Sequence, residues 1–140
     1  MKSLLLLSCL IFSGLTFAQS DSTLVTEDTT DIYVINSTNR IMQVGDNFSI
    51  EFRDLKSLKE LHYIRLDNQA EVQKFFNTCY KVLDKNVEIV GQKYTIKRNI
   101  VSKSVVRISH HDGAYFMLSY DTIEKMEKAF NRILTSEETE

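Results

Sequence analysis

Three consecutive residues, His110, His111 and Asp112, form the one concentration of metal-ligating or proton-transferring side chains in this 140-residue chain. Imidazole nitrogens and carboxylate oxygens are donors that a zinc-like ion takes. Imidazole is also the side chain whose charge changes most readily near neutrality. The spacing works against a shared ion. Adjacent strand residues point to opposite faces, so His110 and His111 do not converge without a bulge. His62 is the only other histidine, and it belongs to a different predicted strand. No HExxH or CxxC spacing accompanies them. Asp112 also has a structural reason for its place, because Asp112-Gly113 is a favoured pair for a two-residue type I′ hairpin turn. In one reading His62, His110, His111 and Asp112 are the metal ligands of a small secreted hydrolase. In the other they are turn and surface residues.

A second set is basic. Lys93, Lys97, Arg98, Lys103 and Arg107 follow one another with no acid between them and with Tyr94 interleaved. Such a stretch suits an acidic protein or an anionic surface. It equally suits a solvated sheet edge, where lysines oppose strand-to-strand pairing. Nucleic acid is disfavoured, because the formal net charge is −2 and nucleic-acid binding needs clustered positive charge to displace counterions.

Nothing else has the spacing of a catalytic constellation. There is no GxSxG elbow, no SxxK with its companion motifs and no glycine-rich phosphate loop, so neither a catalytic residue nor a cofactor is assigned. Cys79 falls on the apolar stripe of a predicted helix and reads as a small buried hydrophobe. The other cysteine, Cys9, lies in the leading segment, so no intramolecular disulfide is expected.

The elements that must position these groups are short strands and two amphipathic helices. Residues 31–35, 41–44 and 48–53 read as strands, the last with Phe48, Ile50 and Phe52 alternating against Ser49, Glu51 and Arg53. Residues 54–59 read as an irregular link and 60–66 as a strand. Asn68, with Glu71 three residues on, has capping-box spacing. It opens a helix over 69–85 whose stripe is Val72, Phe75, Phe76, Cys79, Tyr80 and Leu83. Strands over 87–90 and 93–100 bend at Gly91. A hairpin of 104–111 and 114–120 follows, in the register that sets His110 opposite Tyr115 and Ile108 opposite Met117. Asp121 and Glu124 open a last helix, with Ile123, Met126, Phe130, Ile133 and Leu134 on its apolar face, before an acidic disordered tail over 135–140. No internal repeat is visible. Hairpins with two helices, rather than regular strand–helix alternation, predict an α+β domain over 31–134. Its expected form is one antiparallel sheet of about five to seven strands with both helices on one face.

Met1 to Ala18 reads as a secretory signal, with Lys2, an apolar run from Leu4 to Phe12 and a small-residue cleavage site before Gln19. The apolar run is too short and interrupted for a membrane span, which takes roughly 20 apolar residues. Residues 19–30 read as a flexible polar leader. These features predict an exported protein, periplasmic or secreted, with no membrane span after cleavage. The first functional reading is a non-enzymatic binding or interaction domain that uses the basic stretch. The hydrolase is the second, and an inhibitor or immunity-type partner of another secreted protein is the third.

Overall fold

The computed structural model describes residues 28–139. The predicted signal, most of the polar leader and Glu140 lie outside the described residues. The chain opens with four strands, β1 (Thr29–Val34), β2 (Arg40–Val44), β3 (Asn47–Arg53) and β4 (Leu61–Leu66), followed by helix α1 (Gln69–Lys85). Four more strands follow, β5 (Ile89–Val90), β6 (Tyr94–Arg98), β7 (Val105–His110) and β8 (Tyr115–Ser119), and then helix α2 (Tyr120–Glu137).

The fold is α+β and antiparallel, but the expected single sheet is corrected. There are two four-stranded meanders, ordered β1-β2-β3-β4 and β5-β6-β7-β8. A unit of four strands and a helix therefore occurs twice in topology without a matching sequence repeat. Strand alternation shows which face of a strand is buried but not which strands it pairs with, and β4 and β5, on either side of α1, belong to different sheets.

Both helix starts are set by local chemistry. Asn68 Oδ1 accepts the Glu71 amide at 2.9 Å, and the Glu71 carboxylate reaches back to the Asp67 amide at 2.9 Å. The second helix begins earlier than its predicted box. Ser119, not Asp121, is the cap, and its Oγ accepts the Thr122 amide at 3.2 Å. Asp121 instead pairs with Lys125 at 2.7 Å along the helix. Helix α2 runs on through Thr135–Glu137, the first half of the expected disordered tail, with Thr135 and Ser136 hydroxyls bonding back to carbonyls of the preceding turn.

The helices are exchanged between the two units. Helix α1 packs mainly on β6 and β7 of the second sheet, and α2 packs on β1 of the first sheet and on β8. One continuous core results. Phe48 of β3 meets Phe130 of α2 edge-on at 5.3 Å, and Phe75 of α1 meets Tyr94 of β6 at 5.5 Å. Phe52 of β3 stacks on Phe116 of β8 at 4.4 Å. At this seam the Leu55 amide donates to the Tyr115 carbonyl at 3.0 Å, which ties the end of the first sheet to β8.

Candidate metal centre at the seam between the sheets

His62 stands opposite Phe52 in the β3–β4 register and stacks on its ring at 5.5 Å. Alternation with buried Ile64 and Leu66 places it on the core face of β4. His110 ends β7 on the same parity as buried Val106 and Ile108, which brings it to the core face of the second sheet. Its ring lies 6.3 Å from that of His62 and 6.5 Å from Phe52, centroid to centroid. Two histidines from different sheets thus border one aromatic seam.

The β7–β8 turn delivers the carboxylate. The His110 amide donates to the Ala114 carbonyl at 2.7 Å, and the Gly113 amide donates to the His110 carbonyl at 3.0 Å. Of the turn residues only Gly113 has positive φ, at 93°. The loop is therefore three residues long, His111 to Gly113, with glycine in the bulge position. The expected two-residue type I′ turn is corrected, and the register moves by one residue. Ile108 pairs with Phe116 and Ser109 with Tyr115. Core burial decides this. The observed register sends Phe116 and Leu118 fully inward and leaves Met117 exposed, whereas a one-residue slip exchanges the two sets of side chains.

Asp112 sits between the two imidazoles. Its Oδ2 is 3.1 Å from His62 Nδ1 and its Oδ1 is 3.0 Å from His110 Nδ1. Oδ1 also accepts the Ala114 amide at 2.9 Å. That amide first, and then the neighbouring His110 and His62 imidazoles, hold the Asp112 carboxyl below the usual carboxylate range. On the other side of His62, Nε2 is 3.4 Å from a Glu60 carboxylate oxygen. Asp54 is buried beside it and accepts the amides of Lys56 at 3.1 Å and Tyr115 at 3.2 Å. The Lys56 amide first, then that of Tyr115, lowers the Asp54 carboxyl.

Two three-donor groups share His62: His62 with His110 and Asp112, and His62 with Asp54 and Glu60. In each, ligand atoms all lie within 4.8 Å of one another. Metal–nitrogen distances of about 2.0–2.1 Å in a tetrahedron separate ligand atoms by about 3.3 Å, close to the Asp112 contacts. His110 Nδ1, 3.0 Å from Asp112, and His62 Nε2, 3.4 Å from Glu60, are buried beside these carboxylates without being aligned for a hydrogen bond to them. Buried polar atoms in that condition are uncommon and cost stability. A hollow of about 290 Å³ lined by Asp54, Lys56, Glu60, His62, Asp112, Gly113 and Ala114 borders His62 and its carboxylate neighbours, with His110 outside its lining.

The remaining predicted site residues are dispersed. His111 is exposed, with its ring 3.9 Å from that of His110. Lys93 binds Asp67 at 3.0 Å and Glu71 at 2.8 Å, at the start of α1. Lys97 and Arg107 are cross-strand neighbours on β6 and β7, and the Arg107 guanidinium lies 3.7 Å from the centre of the Tyr115 ring. Arg98 ends β6 and Lys103 lies in the β6–β7 connection. Sequence reasoning missed Asp54 and Glu60 as companions of His62. Both fall in or beside the segment read as an irregular link, and no spacing signals a contact across the β3–β4 connection. Comparison with protein families, curated proteins and solved structures finds no match for this chain.

Proposed function

We propose that this protein is a small binding domain whose ligand is a divalent transition-metal ion held by His62, His110 and Asp112. The observation that carries the reading is the placement of one carboxylate between two imidazoles from different sheets, its oxygens 3.1 Å from His62 Nδ1 and 3.0 Å from His110 Nδ1. Two imidazoles and a carboxylate suit zinc, copper, nickel or iron, whereas calcium and magnesium prefer all-oxygen sites. The leading segment, read as a secretory signal, supports metal capture outside the cytoplasm.

Three protein ligands are also the number used by catalytic zinc, which keeps a position open for water. That makes metal-dependent hydrolysis the second reading. Binding is preferred because the hollow beside the site is at the lower limit of substrate pockets, which run from about 300 Å³ upward.

The test is titration of metal-stripped protein with Zn²⁺ by calorimetry and with Co²⁺ by visible absorption. One ion is expected to bind per chain. Removing a ligand should exceed the roughly 10–100-fold loss typical of outer partners, so His62→Ala and His110→Ala should each weaken binding about a hundredfold or more. Exposed His111→Ala should leave it nearly unchanged. Absence of saturable binding, or binding indifferent to His110→Ala, overturns the proposal. Ester hydrolysis by the zinc-loaded protein that vanishes in His110→Ala would favour the second reading.

A further inference from the structure

The connection between β6 and β7 carries the two most exposed aliphatic side chains among those described, Ile100 at 97% and Val101 at 94% exposure. Isolated exposed aliphatics are common, but these are adjacent and stand at the tip of a hairpin. The tip is held in shape. The Asn99 amide donates to the Val105 carbonyl at 2.8 Å, Asn99 Oδ1 accepts the Val101 amide at 2.9 Å, and the Val105 amide donates to Ser102. Tyr120 at the start of α2 donates its amide to the Ser104 carbonyl at 2.8 Å, anchoring the base of the loop. The aliphatic pair is therefore presented to solvent by a braced turn.

Cations flank the pair on both sides in the chain, Lys97 and Arg98 before it and Lys103 after it, with no acid between Glu88 and Asp112. Among the described residues none of these three cations is in an ion pair, in contrast to Lys93. Lys103 also borders a hollow with Asp84, Glu124 and Glu127, which leaves Lys97 and Arg98 as the less opposed charges. The apolar element is a convex tip, and a surface that yields around it covers it without a preformed pocket. A bilayer does this. Its interface takes in apolar side chains while anionic headgroups attract the surrounding cations.

We infer that the Ile100-Val101 tip with Lys97, Arg98 and Lys103 is a docking point for anionic membrane surfaces, independent of the metal site. The test is flotation of the purified protein with vesicles of phosphatidylcholine alone and of phosphatidylcholine containing phosphatidylglycerol. Binding is expected only to the anionic vesicles and should weaken as salt screens the charges. Each cation neutralised should weaken it about fivefold, the equivalent of about 1 kcal/mol. Ile100→Ser with Val101→Ser should weaken it at least about tenfold through lost apolar insertion. These side chains are exposed, and circular dichroism checks that the variants fold.

Failure to float with anionic vesicles overturns the inference. So does binding unchanged by the double serine variant, which marks charge attraction alone. Recovery of a stoichiometric acidic protein or a second copy through this tip, without vesicle binding, also overturns it. Zinc titration of the same variants separates this result from that of the metal site.

Discussion

At the level of single residues, an unpaired-looking cation can already have a job. Lys93 resembled part of a free basic stretch, yet its ammonium bridges Asp67 and Glu71 at the start of α1. Spacing cannot show this, because Asp67 and Glu71 lie at the start of α1 and Lys93 lies beyond its end. The pairing has a pH signature. Hydrogen bonding to Lys93 is the leading cause that lowers both the Asp67 and Glu71 carboxyls. Their folded-state values lie below the unfolded ones, so their contribution is complete above the ordinary carboxylate range near pH 4 and is lost as pH falls through the lowered values. Lys93→Met should reduce stability at pH 7 and flatten the loss of stability on acidification. Urea midpoints at pH 7, 4 and 3 measure both changes, and an acid-side slope equal to that of the parent protein would rule out this assignment.

Elements were legible where their determinants are local. Helix α1 occupies the expected 69–85 span because the Asn68–Glu71 cap and the apolar stripe both lie within the segment. The start of α2 was less legible because Ser119 and Asp121 both have capping side chains. Strand β8 ends at Ser119, paired with Val105, so the helix begins directly from the strand and Ser119 takes the cap. The β7–β8 turn differs for a nonlocal reason, since burial of Phe116 and Leu118 outweighs the two-residue turn that Asp112-Gly113 suggests. This turn aims Asp112 at the histidines, so its backbone matters to the site. A Cβ at Gly113 meets no atom within 4 Å, yet φ is +93°. Strain, not collision, therefore governs Gly113→Ala, at a cost of about 1–2 kcal/mol. Asparagine tolerates positive φ better than alanine. Gly113→Asn should accordingly retain more stability than Gly113→Ala and, at the proposed metal site, more zinc affinity. Equal urea midpoints for the two variants would show that backbone conformation is not the controlling factor.

For the whole molecule, strands, faces and the pairing of β7 with β8 could be read from the sequence, but the division of the strands between two sheets could not. The expected number of helices was right, while one sheet became two, because sheet membership depends on contacts that no short window contains. Exchange of the helices then joins the halves. Helix α1 leaves the first meander to cover the second, and α2 returns to β1. Neither meander keeps its apolar face covered alone, so the chain should unfold as one cooperative unit. Cys79 provides the probe. It is fully buried within α1, and burial pushes its thiol well above the usual range, so it should react only when the core opens. Thiol labelling and far-ultraviolet circular dichroism should therefore give coincident urea transitions. Phe52→Ala, which removes a fully buried ring stacked between His62 and Phe116, should cost about 3–5 kcal/mol. Although Phe52 belongs to the first sheet and Cys79 to the helix covering the second, the substitution should raise the labelling rate of Cys79 in proportion to the lost stability. Labelling that proceeds while the circular dichroism stays native would mean that α1 opens separately, and the shared core would then not be what binds the two halves together.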